Sequence, residues 1–326
     1  MKIAIVGAGA IGGFLGTRLG IRGHAMHVVA RGATLRALQA YGLRLRERDH
    51  EHVVPVTASE DASSLGPQDL VIIAVKEPAL IGAVASVPPL LGPDTVVLTA
   101  MNGVPWWFFL GMPGPLAGTT LASLDPDGVI AATIPAKRVV GSVVYAACTT
   151  PEPGVAQHVM GNGLIIGEPE GGVSGRVAAL VATFNDAGLE CRSSARIQQD
   201  VWFKLWGNMT TNPLSALTGA TADRILDDEL VRDFCLATMA EAAAIGAVIG
   251  CPIGQSGEER MEITRKLGAI RTSMLQDVDA GRPLEIDALL AVVREIARRC
   301  EVATPALDAL LGVTRLFART RGLYPA

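Results

Sequence analysis

The chain reads as an α/β protein in two parts, a mainly parallel sheet covered by helices followed by an all-α domain. Three observations predict this. Its 326 residues exceed what one ordinary domain needs, so two domains are expected. Up to about residue 195, short β-branched and aliphatic runs alternate with helical patterns, the signature of βαβ units. Beyond it, apolar residues recur only at three- and four-residue spacing, which is the period of a helix. The predicted domains are therefore 1–195 and 196–326.

The elements follow in order. Residues 2–6 form a buried strand and 11–21 the helix behind it; 25–30 is the second strand, with a helix over 34–41. The mixed-charge run 44–49 reads as a solvated hairpin. Residues 70–75 and 96–100 are further strands, and 139–146 and 163–166 are later ones, joined through the turn Glu152-Pro153-Gly154. A helix over 175–187 closes the first domain. Helices are then expected at 198–211, 223–250, 257–280, 285–300 and 305–320. Asp223 is read as an N-cap, and Thr304-Pro305 as a cap with proline at the first helical position.

Composition excludes several classes of function. With 49% hydrophobic and 18% charged residues, the chain can bury two cores and does not read as disordered. A net charge of -4 offers no basic face to nucleic acid. No stretch reaches the ~20 uninterrupted apolar residues of a membrane span. The richest, 96–116, is broken by Asn102, Gly103, Pro105, Gly111, Pro113 and Gly114. A strand starting at residue 2 leaves no room for a secretory signal. Cys148, Cys191, Cys235, Cys251 and Cys300 form no CxxC pair, so they read as buried free thiols in a reducing cytoplasm rather than metal ligands.

The chemistry begins at Gly7-Ala8-Gly9-Ala10-Ile11-Gly12, a GxGxxG that follows a strand and opens a helix, as a Rossmann dinucleotide site requires. Gly7 would allow the tight turn, Gly9 the approach of a pyrophosphate and Gly12 close packing of helix on strand. The helix N-terminus would offer N–H groups and a positive dipole end to the phosphates. The alternative is a tight βα turn without a ligand. At the end of the second strand stands Arg31, where an NAD site expects Asp or Glu for the ribose 2′-hydroxyl. Arginine suits a 2′-phosphate, hence NADP(H); a plain surface arginine is the alternative.

In the second part, Lys204, Asn208 and Asn212 recur at four-residue intervals, so on a helix they share one face. One ammonium and two amides there suit a small substrate with a carboxylate and a carbonyl. Trp202, Phe203, Leu205 and Trp206 would supply a partly desolvated wall, lowering the lysine pKa toward a value useful to a general acid. Alternatively, Lys204 snorkels from a core helix while the asparagines cap its end before Pro213.

Taken with Val75-Lys76, Asn102-Gly103, Lys204-Leu205-Trp206-Gly207-Asn208, Asn212-Pro213-Leu214, Ser273-Met274-Leu275-Gln276-Asp277 and Glu285-Ile286-Asp287, the whole chain resembles the ketopantoate reductases, the 2-dehydropantoate 2-reductases. The resemblance implies an NADP-binding Rossmann domain followed by a helical substrate domain, with the active site in the cleft between them. It implies that Lys204 protonates the carbonyl oxygen of a 2-oxo acid as hydride arrives from the nicotinamide. Asn102, Asn208, Asn212 and Ser273 would hold that substrate, and Glu285 would contact the cofactor and help position the site. Lys76, Asn102 and the backbone at Ala147 would contact the cofactor beside residues 7–12 and Arg31. Ser273 or Glu285 alone would be an ordinary helix residue.

Departures from the family pattern bear on the substrate. Ser142-Val143-Val144 stands where many members carry threonines, and Ala222 where some place a further asparagine. The segment 104–140 is longer than in shorter members. Its aromatics Trp106, Trp107, Phe108 and Phe109 read as packing, as a homodimer contact, or as a wall of the site. The expected activity is reduction of 2-dehydropantoate by NADPH. A reductase of another branched or bulky 2-oxo acid is the alternative enzyme, and a non-catalytic dinucleotide sensor the alternative of another class.

Overall fold

The computed structural model describes residues 1–48, 50–266 and 268–325. Asp49 of the hairpin run, Leu267 inside the expected helix 257–280 and the terminal Ala326 lie outside the described residues. The chain forms two compact units. One comprises 1–102, 107–112 and 127–200; the other comprises 103–106, 113–126 and 201–326.

The first unit is built on a ten-stranded sheet among the described residues. Its strands are β1 (Lys2–Val6), β2 (Ala25–Val29), β3 (Leu43–Glu47), β4 (His50–Val54), β5 (Thr57–Ser59), β6 (Gln68–Ile73), β7 (Leu91–Thr99), β8 (Val139–Glu152), β9 (Val155–Gly167) and β10 (Glu190–Ser194). Its helices are α1 (Ala10–Ile21), α2 (Gly32–Tyr41), the short α3 (Leu80–Val84) and α4 (Val129–Thr133), and α5 (Gly175–Asp186). Six strands run parallel in the order β5-β2-β1-β6-β7-β8, the doubly wound arrangement. The Glu152-Pro153-Gly154 turn then sends β9 back antiparallel to β8. The free edge of β9 takes β3 along its first residues and β10 along its last, both parallel.

The hairpin expected at 44–49 is therefore not a solvated appendage. Leu43 and Leu45 alternate into the core while Arg44 and Arg46 point outward, so β3 and β4 extend the main sheet over α1. The helix meets strands on several sides, and its glycines make that possible. A Cβ at Gly13 would lie 3.0 Å from Ala156, one at Gly16 2.9 Å from Leu43, and one at Gly20 2.3 Å from Val54. Larger side chains would push the returning strands off the helix. Trp107, Phe108 and Phe109 pack elsewhere in the same unit. Trp107 lies on the bare backbone of Gly141 and donates from Nε1 to Thr99 Oγ1 at 3.1 Å, and Phe108 meets Phe109 edge-on. All three are buried core side chains.

The second unit is helical, with α6 (Ile197–Thr218) entering from the first unit, then α7 (Ala222–Asp227), α8 (Glu229–Val248), α9 (Gly257–Arg265), α10 (Ser273–Asp279), α11 (Val292–Arg299) and α12 (Pro305–Thr320). Helix α6 outruns the expected 198–211 and carries Pro213 inside it. The expected helix 223–250 breaks at Asp228, whose carboxylate accepts from the N–H groups of Leu230 and Val231 and so starts α8. Asp223 is not an N-cap: Thr221 holds that position before α7. The 257–280 pattern is two helices, because Thr272 caps a fresh start at Ser273. The 285–300 pattern opens as a π-helix over Asp287–Ala291 before turning α-helical. Thr304 does stand at the N-cap of α12, but the N–H groups of Ala306 and Leu307 are taken by the carboxylate of Glu241 on α8.

Candidate active site

At the glycine loop, three glycines do two different things. Gly7 ends β1 at φ +98°, and a Cβ there would lie 2.6 Å from Val75 and 2.9 Å from the Ala74 backbone. A Cβ at Gly12 would sit 2.1 Å from the Gly7 carbonyl oxygen. These two exist for chain-on-chain packing. Gly9 differs: it is the N-cap of α1, and a Cβ there would meet nothing within 4 Å. The first turn of α1 carries neither an acidic residue nor a side-chain cap, so its positive dipole end opens onto that space. Open room before a bare helix N-terminus fits a dinucleotide pyrophosphate.

Around the loop, the parallel strands bring further residues to one edge. Adjacent strands β2, β1, β6 and β7 end at Val29, Val6, Ile73 and Thr99. Arg31, Gly7, Lys76 and Asn102 follow those ends, at the point where strand order reverses and open α/β sheets bind ligands. Arg31 is exposed at the N-cap of α2. Other arginines of this unit have partners: Arg18 bonds Glu47 at 2.5 Å, Arg44 the Pro153 carbonyl at 3.3 Å and Arg46 Glu51 at 2.5 Å. Lys76 and Asn102 are half-buried, each with partners of its own. Ala147 is exposed at an irregularity of the β8–β9 ladder, where the register slips on either side of it and backbone groups leave the regular pairing.

In the second unit, α6 carries Lys204, Asn208 and Asn212 one turn apart; Lys204 and Asn208 are half-buried and Asn212 is buried. The helix continues through Pro213, so the asparagines do not cap its end. Nor do the aromatic neighbours line the lysine's face. Trp202 and Trp206 are buried and donate from their indole nitrogens to Ala242 and Met239 carbonyls of α8, at 3.1 and 2.8 Å. Phe203 lies beneath the Arg260 guanidinium of α9, 5.2 Å from its ring centre. What they do is lock the roll of α6 against α8 and α9, which fixes the direction of the polar row.

Desolvation pulls the Lys204 ammonium down to about 8, against an opposite and weaker pull from Glu285. Glu285 is itself buried, just ahead of the π-helical turn. An amine that burial lowers to about 8, with a buried carboxylate acting on it, is a group that can hold and release a proton. Ser273 begins α10 with its side chain exposed, while the neighbouring Thr272 does the capping. Asp277 of the same motif is buried and ion-paired to Arg282 at 2.9 Å, anchoring the turn that leads to Glu285.

Two features of this region were not legible as site residues. Gly103 follows Asn102 at φ +78°, and a Cβ there would lie 2.3 Å from the carbonyl oxygen of Ala288; the next residue, Val104, donates its N–H to that same oxygen at 3.0 Å. The only trace of this in the sequence is the glycine after Asn102. The second is that Leu284, next to Glu285, donates its N–H to the Leu323 carbonyl at 3.0 Å.

Comparison with known proteins shows the family. The ketopantoate reductase PanE/ApbA family model matches residues 3–171, and the model of its C-terminal part matches 196–318. A 2-dehydropantoate 2-reductase from Mesorhizobium japonicum is 46% identical over 325 residues, 99% of this chain and 100% of that one. The chain belongs to the ketopantoate reductase family. It is accordingly an oxidoreductase, and ketopantoate reductases work with a nicotinamide dinucleotide. A Ralstonia solanacearum MolK2 crystal structure of ketopantoate reductase type matches with TM-score 0.96 and 59% identity, covering 99% of each chain. D-mandelate dehydrogenase, solved with NADH and anilino(oxo)acetate, shares the fold at TM-score 0.84 and 20% identity, covering 99% of this chain and 100% of that one. Among the described residues no helix is long and apolar enough to cross a membrane.

Proposed function

We propose that this ketopantoate reductase reduces 2-dehydropantoate to pantoate with NADPH in the cytoplasm, Lys204 giving the proton. The observation that carries the reading is the row on α6: a lysine titrating near 8, next to buried Glu285, one turn from Asn208 and two from Asn212. The loop 7–12 would hold the dinucleotide pyrophosphate, Arg31 its 2′-phosphate, and Lys76, Asn102, the Ala147 backbone and Glu285 its remaining parts. NADPH, when bound, supplies hydride to the carbonyl carbon.

The residues' own work follows from the charge that develops. Negative charge on the carbonyl oxygen needs a donor within hydrogen-bond reach, and only an ammonium among these groups can surrender its proton. The amides of Asn208 and Asn212 donate to the substrate's oxygens, with Asn102 and the Ser273 hydroxyl completing its contacts. Glu285 raises the Lys204 pKa, countering part of the desolvation.

One observation favours a second substrate. Ala222, buried at the start of α7, offers no amide where some members have one, which suits another bulky 2-oxo acid. Spectrophotometric NADPH oxidation across a panel of 2-oxo acids tests the proposal. The highest kcat/KM is expected for 2-dehydropantoate. A different oxo acid in first place would transfer the reading to it, and NADPH binding without turnover on any would leave a dinucleotide sensor.

A further inference from the structure

Glu285 sits in a segment with little regular structure of its own, since residues 282–285 are neither helix nor strand. Its position is nevertheless set by hydrogen bonds on both sides, and both come from the end of the chain. Immediately before it, Leu284 donates its N–H to the Leu323 carbonyl at 3.0 Å. Two residues after it, Asp287 accepts from the Tyr324 hydroxyl at 2.6 Å. The terminal residues are themselves held: Leu323 returns its N–H to Ala318 of α12 at 2.8 Å. Arg319 stacks over the Tyr324 ring and donates to the Pro325 carbonyl at 3.0 Å. Leu284 and Leu323 are both buried.

We propose that Leu323-Tyr324 is a positioning strap for Glu285, holding the carboxylate in register with Lys204. The inference rests on the acid–base reading above and adds to it residues that would act through Glu285. Two fixed points three residues apart leave the intervening backbone little freedom. The π-helical turn that begins at Asp287 would otherwise be a soft place to anchor a buried charge. Tyr324 and the Arg315 cation of α12 bear on Asp287, whose carboxyl burial pushes up, and the Tyr324 phenol is pushed up to about 12. Facing Lys204 is Glu285.

Because Glu285 raises the Lys204 pKa, a looser Glu285 lets it fall. The test follows Lys204 in the full-length protein in two ways: the alkaline limb of kcat, and competitive trace acetylation of Lys204 against pH, read by peptide mass spectrometry without turnover. Tyr324→Phe and Asp287→Ala should each displace the titration to lower pH by on the order of half a unit. Asp287→Asn, which keeps an acceptor for the phenol, should stay with the wild type. A strap that only stabilises the fold would lower Tm and leave the titration in place. Titration unmoved in Tyr324→Phe and Asp287→Ala but moved in Glu285→Gln overturns the strap and leaves the acid–base reading intact. Titration unmoved in all of these variants overturns the two together. Displacement of the acetylation curve in a protein that turns over no oxo acid supports the strap while ending the substrate proposal.

Discussion

At the scale of single residues, the burial of Lys204 bears both on the proposed proton transfer and on stability. Desolvation brings its pKa to about 8, so the ammonium is present for proton donation below that pH and lost above it. Reduction should therefore slow as pH rises through about 8, and Lys204→Met should remove that limb while lowering kcat about 10²–10⁴-fold. A pH–kcat series on both proteins checks this; near-normal turnover in Lys204→Met would mean the proton comes from another group. The stability sign is opposite to that of an ordinary ion pair. A lysine with a depressed folded pKa costs stability below that pKa, and the cost fades as pH rises from about 8 through the unfolded value. At neutral pH Lys204→Met should therefore melt no lower than the wild type.

At the scale of elements, helices here begin where a side chain satisfies their free N–H groups, and that side chain is not always local. Asp228 caps α8 from the adjoining position, and Ser256 with Glu259 forms a capping box on α9. Thr304 occupies the equivalent place before α12, yet two N–H groups are met by Glu241, more than sixty residues earlier in the chain. A charged acceptor bonded to two N–H groups at a positive dipole end is worth about 1–2 kcal/mol. Glu241→Ala should lower the urea midpoint accordingly with an unchanged m-value, and Glu241→Gln, which keeps one acceptor oxygen, should lose less. Equal stability in Glu241→Ala would show that solvent replaces the cap at no cost. The same logic explains why the 223–250 and 257–280 patterns each became two helices. Apolar periodicity continues across Asp228 and Thr272, but a capping side chain at each restarts the backbone.

For the whole molecule, the cofactor is the ligand that should report on folding. A ligand that binds only the native state stabilises it by about 2.7 kcal/mol at a hundred times its Kd. NADPH should raise Tm by several degrees and NADH, at equal concentration, by less. In Arg31→Ala the two shifts should converge, because the charged hydrogen bond to a 2′-phosphate is worth roughly 1.5–3 kcal/mol. Differential scanning fluorimetry decides it: an unchanged gap between the cofactors in Arg31→Ala would assign discrimination to another residue.

Much of this was legible because it is local. The alternation of Lys-Ile-Ala-Ile-Val with a glycine turn and a helix needs only neighbouring residues, and so does the four-residue spacing of Lys204, Asn208 and Asn212. A strand buried on both faces and a polar row on a helix leave their period in the sequence whatever surrounds them. Strand partners across the sheet leave no such period. That β3 and β4 close over α1, and that β10 joins β9, depends on which distant backbone has room, and Gly13, Gly16 and Gly20 provide it only once the strands arrive. The aromatics beside Lys204 illustrate the same limit: adjacency in sequence suggested a wall, whereas 100° of helical rotation per residue turned Trp202 and Trp206 onto α8. By itself the sequence determined the fold class, the family and the residue types of the candidate site. Tertiary structure alone decided which packing desolvates the lysine and which distant residues meet Leu284 and Asp287, because desolvation and long-range hydrogen bonds exist only between segments that the folded chain has brought together.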